Sequence, residues 1–86
     1  MIQKIKAPVT VISIYKHRKN RAYPKAVYWE GRKFIVKNVD LHHSYIRGKI
    51  LYHVFSVSTK DHYFRLVLNT NNLFWTLEEV SDGIPD

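Results

Sequence analysis

Five permanent cations and one histidine stand within ten consecutive residues, Lys16-His17-Arg18-Lys19-Asn20-Arg21-Ala22-Tyr23-Pro24-Lys25, and no acid interrupts them. Lysine and arginine at this density suit phosphate neutralisation, each contact on duplex DNA adding about −0.9 to the slope of log affinity against log salt. The segment reads as a flexible basic loop, because its charges repel one another and the rest of the chain offers few acids to balance them. The competing reading is a solvated linker with no ligand. Lys33, Lys37 and Arg65 are the further cations expected to join Lys16, Arg18, Lys19, Arg21 and Lys25 on a phosphate backbone. Arg32 shares a face with Trp29 across a turn, where it could form a cation–π pair or reach a phosphate. Trp29 itself is expected as a core plug.

A second candidate surface comes from side-chain alternation. Val54, Val67 and Phe74 are expected side by side on one sheet face, with Tyr52, Tyr63 and Arg65 around them. Exposed aromatics on a sheet stack on bases, at about 1–3 kcal/mol each. The same face uncovered could dock a protein partner, and adjacent aliphatics there more readily suit a covered inner wall.

The histidines carry less. His42 and His43 are adjacent and must point to opposite faces of a strand, and no carboxylate sits at a ligand-like spacing from His17, His53 or His62. His53 falls on an apolar face, as a buried and hydrogen-bonded imidazole would. No glycine-rich phosphate loop, Gly-x-Ser-x-Gly elbow or paired-carboxylate site occurs in the sequence. The expectation is therefore no catalytic residue, no metal and no cofactor. A metal-free ribonuclease on an SH3-like barrel is the least favoured alternative, because no His–Arg–acid set gathers by register.

The elements that must position these residues are strands. At 86 residues, 45% hydrophobic and 14% aromatic, with no cysteine, the chain must stabilise itself through a dense apolar core rather than disulfides. Valine, isoleucine and aromatics dominate that apolar content, and alanine occurs only at Ala7, Ala22 and Ala26. Such residues suit a pleated surface. No run approaches the roughly 20 apolar residues of a membrane-spanning helix. The expected localisation is cytoplasmic, with no membrane partner, and the net charge of +7 favours polyanions.

Turn signals divide the chain at Glu30-Gly31, Arg47-Gly48-Lys49, Lys60-Asp61 and Asn69-Thr70-Asn71-Asn72. Val9–Tyr15, Ala26–Trp29, Arg32–Val39, Ile50–Thr59, His62–Leu68 and Leu73–Glu79 then read as strands, with an irregular stretch before Gly48. A two-residue Lys60-Asp61 loop sets Val57 opposite Phe64 and Phe55 opposite Leu66. A four-residue asparagine loop sets Leu68 opposite Leu73, Leu66 opposite Trp75 and Phe64 opposite Leu77. Both turns agree on one apolar face, and a one-residue slip would send half of it to water. Across Glu30-Gly31, Val27, Trp29, Arg32, Phe34 and Val36 share a face. A bulge near Lys37-Asn38 is expected to return Val39 and Leu41 to the core. The resulting expectation is a single all-β domain over residues 1–86. Residues 1–25 form an N-terminal strand plus basic loop, and 26–82 form a five-strand meander. Five to six strands close into a small SH3-like or related barrel.

Two segments together carry a family likeness. Val27-Tyr28-Trp29-Glu30-Gly31-Arg32-Lys33-Phe34-Ile35-Val36, followed by Val39, resembles an aromatic-x-Trp-x-Gly-Arg-x-Tyr/Phe-x-Val opening. Val57, Phe64-Arg65-Leu66 and Phe74-Trp75-Thr76-Leu77, with Val80 and Asp82, resemble a Val…Tyr-x-Leu…Trp-x-Leu…Val-x-Asp ending. Both are similar to a small prokaryotic β-domain family found as stand-alone proteins or associated with translesion (Y-family) DNA polymerases. The likeness spans roughly Ala26 to Asp82 and rests on core and turn residues. His42 to Lys49 lacks the second tryptophan seen there in the family, and residues 1–25 lie outside it. The resemblance implies a polymerase or another nucleic-acid-processing protein as partner. The leading functional expectation is a non-catalytic accessory module binding DNA or RNA, with a protein-docking module as the alternative.

Overall fold

The computed structural model describes residues 2–19 and 21–82, and of Lys19 the backbone alone. Within them the chain forms β1 (Ile2–Lys16), a short 3-10 turn (His17–Lys19), β2 (Arg21–Trp29), β3 (Arg32–Ile35), β4 (Asn38–Arg47), β5 (Ile50–Ser58), β6 (Tyr63–Asn69) and β7 (Trp75–Ser81). These make one antiparallel seven-stranded sheet in the order β3-β2-β1-β7-β6-β5-β4. The all-β antiparallel expectation holds at that level. The strands number seven rather than five or six, and no ladder joins the β3 and β4 edges into a closed barrel.

β1 is central rather than a closing strand. Its first part pairs with β7 from Ile2 to Val9 and its second with β2 from Thr10 to Lys16. Between Lys4 and Ala7 the register shifts, and Lys6 there adopts a left-handed φ of 54°. A bulge of this kind bends a strand and increases its twist, so one strand can serve two differently directed ladders. A second irregularity falls between Ile12 and Ser13, where Pro24 is the partner of Ser13. Proline cannot donate to a ladder, which is why it sits at a bulge inside β2. Ile5, Val9 and Val11 turn inward against the core, while Ile12 and Ile14 stay exposed.

The core gathers Val27, Phe34, Val36, Phe55, Val57, Phe64, Leu66, Leu77 and Val80. Phe34 of β3 packs edge-on against Phe64 of β6 at 5.0 Å, although three strands lie between them in the sheet order. The sheet must therefore curl over on itself. Beyond β3 the chain crosses to the far edge, with Val36 N donating to Lys25 O at 2.9 Å and Lys37 N to Ser58 O at 2.8 Å.

The expected registers survive in part. Val57 faces Phe64, Phe55 faces Leu66, Val27 faces Phe34 and Trp29 faces Arg32. At both Glu30-Gly31 and Gly48-Lys49 the two turn residues have positive φ, the geometry that matches strand twist in a two-residue hairpin. The asparagine loop is longer than four residues. Asn69 Oδ1 accepts from Asn71 N at 2.8 Å, Asn72 Oδ1 accepts from Phe74 N at 2.9 Å, and Asn69 N donates to Phe74 O at 3.0 Å. These side-chain caps hold Leu73 and Phe74 outside the ladder, so Leu68 faces Trp75 and Leu66 faces Leu77. A register shift between Arg65 and Leu66 then sets Val80, not Leu77, opposite Phe64. The bulge expected near Lys37-Asn38 lies instead between Val39 and Leu41. The break between β3 and β4 at Val36-Lys37 already sets Val39 against the core, and the bulge leaves Leu41 exposed. The stretch before Gly48 is the ordered edge strand β4.

Leu66 is fully buried and Leu73 is 69% exposed. Leu66→Ala is expected to cost about 2–5 kcal/mol in urea unfolding, and Leu73→Ala to stay within about 0.5 kcal/mol. Equal losses would return Leu73 to the core face and contradict the longer loop.

Candidate polyanion interface

The basic segment is mostly strand. Lys16 ends β1, Arg21 to Lys25 open β2, and the 3-10 turn between them carries His17 and Arg18, both exposed. The side chain of Lys19 lies outside the described residues. Lys16 and Arg21 are direct cross-strand partners. Like charges so placed repel, and the Tyr23 ring stands between them in compensation. Lys16 Nζ lies 5.7 Å and the Arg21 guanidinium 5.8 Å from the centroid of that ring. An anion set against the pair relieves the remaining repulsion.

Two shallow grooves, each of about 340 Å³, continue from this point. The first is bounded by Lys16, Tyr23, Lys25 and Lys37, and the second by Arg32, Lys33, Lys37, Lys60 and His62. Lys37 borders both, which joins the hairpin cations to those of β3 in one strip. Asp61 is the one carboxylate along either groove among the described residues. Aromatic rings interleave the cations. The Arg32 guanidinium lies 4.8 Å from the Phe34 centroid rather than over Trp29, and Lys33 Nζ lies 5.8 Å from that of Tyr28. Trp29 is half-buried and packs on Phe34 and Phe64, as a core plug does.

Arg65 is not in the strip. Its Nε lies 3.3 Å from Glu78 Oε1 and its Nη1 3.9 Å from Glu79 Oε2. Those carboxylates neutralise it, and a neighbouring notch also holds Asp40 and Glu79. Lys4 of β1 is the cross-strand partner of Glu79, so this part of the sheet carries both signs and lies apart from the strip. Asp86, the last of the C-terminal acids, lies outside the described residues.

Nor do Tyr52, Tyr63 and Phe74 form one platform. Tyr52 pairs with Asn69 and Tyr63 with Ser58, at opposite ends of the β5–β6 ladder. Tyr52 stacks on Tyr45 at 5.0 Å, Tyr63 borders the acidic notch, and Phe74 stands exposed on the asparagine loop. Thr76, rather than Phe74, lies beside Val67, which faces Val54. Both valines are buried, so the expected docking face does not exist as drawn.

Sequence reasoning missed the pairing of His42 with His53. His42 Nε2 and His53 Nδ1 are 2.8 Å apart, and the His42 ring stacks on Phe55 at 4.5 Å. The β4 bulge sets up this contact by turning His42 inward opposite Phe55. The signal available in the sequence was the inward parity of His53; the partner depended on the bulge. Among the described residues no three metal-ligating side chains converge. No protein-family model, no curated protein and no solved structure matches this chain.

Burial lowers the His42 pKa below 6.5, and the neighbouring His53, Arg21 and His43 lower it further. Below pH 6.5 the unfolded chain takes up a proton that the folded His42 resists, so the native state loses stability as pH falls through that window. The urea midpoint is expected to drop between about pH 7 and pH 5.5, and His42→Phe, which keeps a ring against Phe55, should flatten the drop. An unchanged slope in that variant would assign the effect elsewhere.

Proposed function

We propose that this protein is a non-catalytic nucleic-acid-binding module. It engages the phosphate backbone through Lys16, Arg21, Lys25, Lys37, Lys33 and Arg32, with Arg18 at the margin. The observation carrying this reading is the shared position of Lys37 between two cation-lined grooves that hold a single carboxylate. Spacing cations along a strip with aromatic rings between them suits a polymer of phosphates and bases better than a single small anion. An SH3-like description, a cytoplasmic setting and an accessory role beside a polymerase belong to the same proposal, supported by the family likeness of Ala26 to Asp82.

Fluorescence anisotropy with labelled oligonucleotides across a salt series tests it. Wild-type affinity should fall steeply with salt, and Lys33→Ala and Lys37→Ala should each reduce the log–log slope by about 0.7–0.9. Arg65→Gln should weaken binding less than either lysine substitution, because Arg65 lies among Glu78 and Glu79 and outside the two grooves. Absence of binding at low salt would overturn the proposal.

A further inference from the structure

At the Arg21 end of the strip lies a recess of about 260 Å³, bordered by Arg21, His42, His53, Phe55, Leu68 and Thr70. Its lining is mainly apolar and aromatic. It forms where the start of β2 comes over β4, β5 and β6, at the open end of the curled sheet. Phe55 closes its floor against Trp75 at 5.6 Å, and His42 and His53 are half-buried. We infer that this recess receives one unpaired nucleobase, which makes the preferred ligand a single strand rather than a duplex. This inference rests on the reading of the basic strip as a nucleic-acid interface and deepens it.

Three features carry it. First, the recess is continuous with the strip through Arg21, which lies both at its rim and against Tyr23. A strand whose phosphates follow Lys16, Lys25 and Lys37 therefore has a base within reach of the opening. Second, the walls are ring surfaces. The His42 ring is near-parallel to Phe55, with 13° between the planes, and to His53, with 23°. Bases stack on His and Phe in this way where they are splayed out of a single strand.

Third, the hydrogen-bonded histidine pair keeps one further polar ring nitrogen at each of its two ends. The 2.8 Å contact uses one nitrogen of each ring. In a neutral pair one ring donates and the other accepts. Whichever tautomer is present, the two remaining ring nitrogens comprise one donor and one acceptor. Either nitrogen offers one hydrogen bond to a polar atom of an inserted base, and a duplex hides such atoms in pairing. Burial, with His53 and Arg21 nearby, favours the neutral form of His42.

The test compares four fluorescein-labelled probes on the full chain: short oligouridylate, oligodeoxythymidylate, an abasic oligodeoxynucleotide of equal length, and the corresponding duplex. Both base-bearing single strands are expected to bind about tenfold more tightly than the abasic strand. The difference should persist as salt is raised, since stacking releases no counterions. His53→Leu should bring oligodeoxythymidylate down to abasic affinity without changing abasic binding. Should that variant unfold, the imidazole proton resonances of His42 and His53 in the unaltered protein still decide. They should move with oligodeoxythymidylate and stay fixed with the abasic strand. Equal binding of abasic and base-bearing strands would overturn the base recess while leaving the phosphate strip standing. Absence of binding by every probe at low salt would overturn both.

Discussion

The contact between Phe34 and Phe64 is the constraint on which the rest of the structure depends. A flat sheet of seven strands would hold β3 and β6 far apart, and their rings would face water. Instead the two rings meet edge to face at 5.0 Å, with Trp29 beside both. An aromatic pair of this geometry adds about 0.5–1.5 kcal/mol beyond the area it buries. More important is what it forces. The curl it demands buries Val27, Leu66 and Leu77 between the two halves of the sheet, and a chain this short has no other way to enclose a core. The bend at Lys6 in β1 is the backbone counterpart of that demand.

The curl also decides the electrostatics. Lys37 lies on the crossing between β3 and β4, and its amide bonds to Ser58 O. That crossing brings Lys37 beside Lys25 and Lys16 on one side and beside Arg32, Lys33 and Lys60 on the other. Cations separated by twenty or so residues thereby become neighbours, and among the described residues Asp61 is the one carboxylate along the two grooves. Arg65, equally basic in the sequence, falls among carboxylates and is neutralised. Position in the fold, rather than residue type, separates a cation left beside other cations from one neutralised by carboxylates.

The same geometry turns ordinary strand residues into a recess. His42 and His53 lie on adjacent strands and meet edge to edge through their hydrogen bond. Only the folding-over of Arg21 makes a concave site of them. The opposite end of the curl is filled by Trp29, Phe34, Phe64 and His62. One end is thus packed and the other left accessible.

Local sequence determined most of the strands other than β4, the turn positions and many of the inward-facing residues, because alternation and positive-φ turns are properties of neighbouring residues. Val57 with Phe64 and Val27 with Phe34 follow from two-residue turns alone. Where a turn is organised by side chains, as at Asn69 and Asn72, counting residues misplaces Leu73 and Phe74. Bulges at Lys6, at Asp40 and beside Leu66 shift every later residue, and alternation cannot see them until a partner strand is present. The basic hairpin was legible as charge, and its being ordered strand was not, since pairing with the rest of β1 and β2 supplies the order. Tertiary structure alone decided which cations converge on Lys37, which arginine is neutralised, and that two histidines eleven residues apart share a hydrogen bond. The first depends on the crossing from β3 to the far edge of the curled sheet, and the other two on bulges that set the register between neighbouring strands.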